Sequence, residues 1–508
     1  MKKPKFDIKE LERAILYEKT KGTLDYEIAR KYSVTFRYIE QVVAKSKPKT
    51  VTTLRTPLRI KTYYPMDFTE EQTTVWSFKG RGTWATHRGD YRGNWSPYIP
   101  RNIILKYSSP GDVVLDYFCG AGATAIESKL LGRRCIGFDV NERAIELTKR
   151  NLEFNISPKH YLFAEMGIEV NIYEPQLFVG DAREMKTMKN NSVHLICSHP
   201  IFSDVVHYTG TEEGDLSFFG IEKFLKEMSR VAKESYRVLK PGRYCAILIG
   251  DTRRKEHIIP LGFLTINEYL KAGFRLKELV IKRQYNCKTT GFWYDNSLKY
   301  NFLLLTHEYL PIFEKTRRKR RRGGSKQPDI VPNPEEKLVL KDEVKEMETT
   351  TVWVLPEKDF EKTLNRNVID RYGMNQNYTY VYFGIGKKSE EKSGKARKDS
   401  LLYIKTDLET KYLSRPALDG FVLKLNKMIE KRLPYVTKGG FVVIETKDKR
   451  INGYMESPAK RIITTLTTDQ LWLKEIILIT VEGGEKIEPD SEYLTISHKY
   501  LLVYEVVV

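Results

Sequence analysis

Apolar residues recur along this chain with two different periods, and the change between them marks its organisation. From residue 7 to 46 the period is helical: Leu11, Ile15 and Leu16, then Ile28, Ala29 and Tyr32, then Ile39 and Val42 fall three and four positions apart, as the buried face of a helix requires. Beyond residue 110, short apolar runs alternate with helical stretches. Val113–Asp116, Cys135–Asp139, Leu177–Asp181 and His194–Cys197 read as strands, and Ala123–Leu131 and Ala144–Leu152 as helices between them. Strands that alternate with helices predict an α/β fold with a largely parallel, doubly wound sheet, because parallel neighbours need a crossover connection.

The pattern then recurs. "GRYCAILIGDTRR" (242–254) aligns with "GGFVVIETKDKRI" (439–451), and "LKE" at 276–278 aligns with "LKE" at 473–475 at the same offset. Phe224 and Leu225 match Phe421 and Val422 in that register, and "HEYLPIFEK" pairs with "HKYLLVYEV" after a small length change. Agreement across four elements predicts that the C-terminal part is a degenerate second copy of the latter half of the sheet. Between the copies, "KTRRKRRRGGSKQPDIVPNP" (315–334) has linker composition, either a solvated tether or a strip that grips phosphate. The predicted domains are 1–50, 60–315 and 336–508, with 316–335 as the linker.

At 508 residues the chain exceeds what one core supports, which agrees with that division. A net charge of +20 attracts polyanions, and nucleic acid is the first candidate, although basic enzymes without such partners exist. The charge changes the reading of the N-terminal helices. Leu24–Val34 and the helix after it have the outline of a helix-turn-helix unit that offers Arg37, Tyr38 and Lys45 to DNA; the usual turn glycine is missing, and a small basic helical cap fits equally well. The five cysteines form no CxxC pair, which predicts a reducing, cytoplasmic setting and no structural metal. No signal-like core opens the chain and no apolar run reaches membrane-spanning length, so a soluble protein is expected.

Candidate chemistry concentrates at the predicted strand ends. Asp116-Tyr117-Phe118-Cys119-Gly120-Ala121-Gly122-Ala123-Thr124 joins a strand to a helix, and glycines there let backbone approach a ligand closely. The full GxGxxG triplet and a Walker lysine are absent, which argues against a dinucleotide or a triphosphate. Acids close three successive strands: Asp116; Asp139, placed to accept both hydroxyls of a ribose; and Asp181, placed to accept from an adenine amine. Together they describe an adenosine-bearing ligand across the carboxyl ends of the sheet. The fourth strand runs into Ser198-His199-Pro200-Ile201-Phe202.

These segments, "LDYFCGAGATAIES", "GFDVN", "GDARE" and "HPIF", with "NWSPYIPRNI" upstream, resemble the S-adenosylmethionine-dependent DNA amino-methyltransferases of the N6-adenine and N4-cytosine type over residues 75–315. The resemblance implies a Rossmann-like methyltransferase sheet with S-adenosylmethionine as cofactor. Asp116, Phe118, Gly120, Gly122, Thr124, Asp139 and Asp181 would bind it, with Ser96 and Tyr98 of the upstream helix at its methionine end. The substrate would be an exocyclic amine of a base flipped from double-stranded DNA, and a cognate restriction endonuclease is the partner the resemblance brings with it. In the family's catalytic loop a first residue (Asp, Asn or Ser) and the next proline's carbonyl accept the amine's N–H groups, and the fourth residue is an aromatic platform. Here His199 takes the first place, Pro200 keeps the carbonyl, Ile201 replaces a second proline and Phe202 is the platform. A neutral imidazole accepts one hydrogen bond; a protonated one only donates. Ser198 is a further candidate acceptor. Arg88, Arg92 and Trp95 in "THRGDYRGNWSPY" stand just before the upstream helix, to bind DNA phosphate or to cap the site, and Arg283 and Lys288 in "RQYNCKTTGFWYDNSLKYN" are candidates for DNA contact, the second segment reading equally as a surface hairpin. Two other readings remain open: an RNA base methyltransferase, and a catalytically degenerate DNA-binding protein with the same fold.

Overall fold

The computed structural model describes residues 8–32, 34, 38, 39, 42, 60–156, 171–200, 220–284, 297, 300–317, 348–384, 398–408, 413–483 and 491–508, apart from isolated positions such as 67, 90 and 92. The predicted linker and most of the 283–301 loop lie outside these residues. The chain divides into two units, Met1–Arg59 and Ile60–Val508.

In the first unit, α1 (Ile8–Thr20) and α2 (Asp25–Tyr32) bury Ile15 and Ile28 with Ile39 and Val42, and Leu11, Leu16, Ala29 and Tyr32 pack against them. This is the face that the helical spacing predicts. Glu18 ties the helices together, accepting from Lys31 Nζ at 2.5 Å and from the Thr23 and Tyr32 hydroxyls. Arg37 lies outside the described residues.

The second unit holds an eight-stranded sheet and a six-stranded sheet. The first contains β1 (Val75–Ser77), β2 (Val113–Asp116), β3 (Arg134–Asp139), β4 (Gln176–Val179), β5 (Val193–Ser198), β6 (Leu239–Ile247), β9 (Arg275–Arg283) and β10 (His307–Lys315), in the order β1-β9-β10-β6-β5-β2-β3-β4. Only β10 runs antiparallel to its neighbours. The central strands are parallel, as the alternating pattern predicts. Helices α3 (Tyr98–Tyr107), α4 (Ala123–Leu130), α5 (Glu142–Asn151), α6 (Ile221–Val238) and α7 (Leu261–Lys271) make the connections, with a small hairpin of β7 (Thr252–Arg254) and β8 (His257–Ile259) before α7. The reversal of winding between β2, which leads to β3, and β5, which leads to β6, opens a crevice at the strands' carboxyl ends, where ligands of such sheets bind.

The six-stranded sheet contains β11 (Val352–Leu355), β12 (Tyr378–Gly384), β13 (Asp399–Asp407), β14 (Val436–Thr446), β17 (Leu471–Val481) and β18 (Lys499–Val506). Helices α8 (Phe360–Tyr372), α9 (Arg415–Arg432) and α10 (Pro458–Thr465) accompany it, as does a hairpin of β15 (Lys449–Ile451) and β16 (Tyr454–Glu456). Its order, β11-β17-β18-β14-β13-β12, and its parallel and antiparallel pairings follow β1-β9-β10-β6-β5-β2 strand for strand. The agreement reaches further upstream than the repeat read from sequence, since β11, α8 and β12 stand where β1, α3 and β2 do. A signal was available: "TTVW" occurs at 73–76 and again at 350–353, and each tryptophan indole donates to the threonine carbonyl three residues back at 3.0 Å.

The expectation of a C-terminal unit set apart by a linker is revised. One apolar cluster runs through both sheets, joining Phe263, Leu279 and Tyr309 with Leu402, Leu418 and Tyr500, so burial spans the covalent connection. No helix among the described residues is long and apolar enough to cross a membrane.

Candidate active site

The turn after β2 takes its shape from two glycines in the left-handed region, Gly120 at φ 51° and Gly122 at φ 84°. Non-glycine residues adopt that region at a cost. Gly122 also lies against α5, where a Cβ would come within 2.5 Å of Thr148 Cγ2. The turn is held from several sides. Asp139 Oδ2, at the end of β3, accepts from Gly120 N–H at 2.9 Å. On the carbonyl side, Thr148 Oγ1 donates to Gly120 O at 2.8 Å and Asn151 Nδ2 to Ala121 O at 2.9 Å.

Beneath it, Asp116 Oδ1 accepts from Ser198 Oγ at 2.6 Å and from Phe118 N–H at 3.1 Å, while Ser198 Oγ accepts from Phe118 N–H at 3.2 Å. This bond set fastens the glycine turn to β5, the strand that runs into His199. Burial pushes the Asp116 carboxyl up to about 6, opposed by hydrogen bonds from Ser198 and Thr124. Two expectations are corrected here. Ser198 is fully buried with its hydroxyl committed to Asp116, so it is no acceptor for a substrate amine. Asp116 and Thr124 are buried supports, Thr124 donating to Cys197 O at 3.4 Å, rather than walls of the cleft.

The cleft itself is narrow, about 30 Å³, and is lined by Tyr91, Gly93, Asn94, Trp95, Phe118, Cys119, Gly120, Asp139 and His199. Four predicted residues, Phe118, Gly120, Asp139 and His199, therefore come together. His199 stacks on Trp95 with ring centroids 5.6 Å apart and planes 24° apart. Burial pushes its imidazole down to about 4, with Glu308 opposing and Lys282 adding to the shift. Those two form an ion pair at 2.8 Å across β9 and β10. His199 is thus neutral at physiological pH, the form that accepts a hydrogen bond. Pro200 follows it, buried; Phe202 lies outside the described residues.

The cleft's upper wall comes from the segment whose Arg88, Arg92 and Trp95 the sequence offers either to DNA phosphate or as a cap on the site, and Trp95 lines the cleft. Arg81 folds the 88–95 segment over the glycine turn, its guanidinium donating to the carbonyls of Arg88, Asn94 and Trp95 at 3.2, 2.8 and 2.9 Å. Further back, the buried Glu127 of α4 accepts from Trp84 Nε1 at 2.6 Å and Arg101 at 2.8 Å, and bonds His87 Nε2 at 2.7 Å. Burial alone would raise the Glu127 carboxyl, and the Arg101 charge with the His87 hydrogen bond holds it below its usual range. The signal was the density of Trp, His and Arg in "TWATHRGDYRGNW" (83–95), which composition alone cannot separate from a phosphate-binding strip.

The remaining predicted residues stand elsewhere. Asp181 is clasped by Arg183, at 2.6 Å from its NH2 nitrogen, and Arg183 also pairs with Glu227 at 2.9 Å; it does not line the cleft. Ser96 Oγ donates to Arg81 O at 2.8 Å, and the Tyr98 ring stacks on Phe78 at 5.1 Å, so both brace the upstream segment. Arg88 is half-buried in that segment, and Arg283, at the end of β9, faces the Glu348 carboxylate. Arg92 and Lys288 lie outside the described residues. No group of His, Cys, Asp and Glu among the described residues is arranged to hold a metal ion.

With this geometry in hand, comparison with known proteins decides the family. A family described as DNA methylase matches residues 7–150 and 193–399, more than half of the chain. The chain belongs to the N6/N4 DNA methylase family. Among its relatives, a Type II methyltransferase M2.DpnII of Streptococcus pneumoniae is 39% identical over 56 residues, 11% of this chain and 21% of the relative. A tRNA (guanine(10)-N2)-dimethyltransferase of Methanothermobacter thermautotrophicus is 41% identical over 64 residues, 12% of this chain and 19% of the relative. The chain thus spans about a fifth of the length of these curated relatives. Among solved structures, a SAM-dependent methyltransferase of Methanosarcina mazei aligns with 42% of this chain and 98% of its own, at 17% identity and a TM-score of 0.29.

The family's cofactor is S-adenosylmethionine, and the cleft residues fit it. Asp139, which accepts from the Gly120 and Asn141 N–H groups at 2.9 Å, lines the cleft at the end of β3, where a carboxylate would hold a ribose diol. When bound, the cofactor supplies an electrophilic methyl group.

Proposed function

We propose that this DNA methylase transfers a methyl group from S-adenosylmethionine to an exocyclic amine, adenine N6 or cytosine N4, of a base flipped from double-stranded DNA. The observation that carries the reading is His199: neutral, stacked on Trp95, and set in one cleft with Asp139 and the glycine turn. An exocyclic amine is a poor nucleophile because its lone pair is delocalised into the ring. His199 and the Pro200 carbonyl would accept its two N–H groups, which favours a pyramidal nitrogen with its lone pair aimed at the methyl carbon. S-adenosylmethionine, when bound, would supply the electrophilic methyl group, and the amine would release one proton to solvent. A base as weak as His199 holds the amine but does not store that proton. Since protonation sets in only near pH 4, the sign of the shift predicts that methyl transfer shows no acid limb near pH 6.5 from this residue.

Two further parts belong to this reading. Residues 1–59 serve DNA as a helix-turn-helix-like unit, and residues 348–508 are a degenerate copy of the methylase sheet that binds no cofactor of its own. The 41% identity to a tRNA methyltransferase favours a second reading, an RNA base as acceptor. Base-resolved sequencing of modified DNA from cells that express the protein, beside assays on duplex DNA and total tRNA, separates the two. Methylation of tRNA alone would overturn the DNA reading.

A further inference from the structure

The two sheets meet through contacts that come in matched pairs. Arg253 donates to Glu475 Oε2 at 2.6 Å and to the carbonyls of Lys474 and Leu303. Arg450 donates to Glu278 Oε2 at 2.6 Å and to the carbonyls of Lys277 and Leu494. The second oxygen of Glu475 accepts from Leu303 N–H at 2.9 Å, and that of Glu278 from Leu494 N–H at 3.4 Å. Thr351 Oγ1 lies 2.9 Å from His307 Nδ1, and Thr74 Oγ1 lies 2.8 Å from His498 Nδ1. Even the cores exchange a residue: Leu303 packs in the cluster of Trp353 and Tyr372, and Leu494 in that of Trp76 and Ile103. An interface in which i meets j while j meets i is isologous, the geometry of a two-fold dimer. Here both partners are parts of one chain.

The paired contacts are alike in chemistry but not in position relative to the cleft. His307 opens β10 at the end of the sheet that carries the cleft. Burial pushes its imidazole down to about 3, so the ring is neutral and carries one proton. Tyr309 Oη donates to Asp251 at 3.1 Å and so accepts from His307 Nε2–H at 3.1 Å, leaving Nδ1 to accept from the Thr351 hydroxyl. Thr351 Oγ1 also accepts from Thr306 N–H at 3.1 Å. The next residue, Glu308, pairs with Lys282 beside His199. Tyr309 exchanges both backbone hydrogen bonds with Ile249 at 2.8 Å, and Leu248 N–H donates to the carbonyl of Ser198, one residue before His199, at 3.2 Å. Glu278, by contrast, stands opposite Ile312, five residues along β10 from its opening.

We propose that the C-terminal half is a built-in positioning subunit: through Thr351 and Glu475 it pins Thr306–His307, Leu303 and Arg253, the segments that back the His199 loop. The inference rests on methyl transfer at that loop. It extends it by giving the six-stranded sheet a role in catalysis that needs no DNA contact.

The test uses the full chain and exploits the pairing. Thr351→Val is expected to lower kcat about tenfold while the affinity for S-adenosylmethionine stays within about twofold, and Thr351→Ser restores the rate. Deuterium exchange at residues 197–200 and 306–308 rises with it. The mirror variant Thr74→Val is expected to lose as much thermal stability with kcat within about twofold of wild type. Glu475→Gln against Glu278→Gln repeats the comparison should either threonine variant fail to fold. Equal loss of kcat in both members of a pair, or none in Thr351→Val, overturns the proposal. If the wild type methylates nothing, exchange decides alone: a rise at 197–200 confined to Thr351→Val supports the positioning role, and equal exchange in both variants refutes it.

Discussion

Two sheets with one strand order differ in what the chain does between corresponding strands. In the eight-stranded sheet, residues 117–192 intervene between β2 and β5 and bring the glycine turn, α4, β3, α5 and β4. In the six-stranded sheet, β12 passes to β13 across residues 385–398. The end of β13 differs accordingly. Ladder register sets Lys405, which pairs with Glu445, where His199 follows Ser198 beside Ile247. Lys405 is closed into a network with Glu361, Glu445 and Lys499, and Tyr403 donates to Glu445 at 2.8 Å. One frame thus serves two ends: a crevice with a neutral imidazole, and a cluster of paired charges. A strand order sets where a site is available, and the loops and end residues decide whether one is built.

The sharpest way to break this comparison is at the two equivalent strand ends. His199→Ala is expected to lower methyl transfer by about 10²-fold, His199→Asn to keep most of it because the amide still accepts, and Lys405→Met to leave it unchanged while lowering the melting temperature; single-turnover assays and thermal melts read all three. Next in size, Asp139→Asn is expected to weaken S-adenosylmethionine about tenfold to a hundredfold, and calorimetry on the wild type to count one cofactor per chain; two per chain would contradict the contrast between the sheets.

A smaller effect separates two glycines with positive φ. Gly122→Ala adds a 2.5 Å clash to left-handed strain and is expected to cost about 3 kcal/mol, whereas Gly439→Ala, at φ 74° with open space around it, should cost about 1–2 kcal/mol by denaturant melts. The smallest is a pH effect at Asp251, whose carboxyl burial pushes up to about 7. A carboxyl raised in the folded state contributes stability at low pH that is lost as pH rises through that value. Asp251→Asn is therefore expected to be relatively more stable above pH 7 than below pH 5, and a parallel pair of melting curves against pH would refute it.

Much of this was legible in the residues. The helical spacing picked out Ile15, Ile28, Ile39 and Val42, and the apolar runs located β2, β3, β4 and β5 within a residue or two. Both are local: a buried face repeats at the period of its own element, whatever it packs against. Roles were harder than places. Asp116 and Ser198 lie at the right strand ends yet support the turn from below, because a strand's last side chains alternate between faces and the sequence does not say which face holds the ligand. Asp181 was read as a ligand although Arg183, two residues on, clasps it, because the sequence does not say whether a neighbouring arginine folds back or points away.

By itself the sequence determined the order of strands and helices, the glycine turn, the strand-end acids and the HPIF loop, since each depends on neighbours in the chain. Only the tertiary structure decided that 88–95 folds over the turn, that His199 lies neutral on Trp95, and that the two sheets meet in mirrored contacts. Those depend on burial and on partners as distant as Thr74 and His498, where the free energy comes from water excluded between segments that the sequence keeps apart.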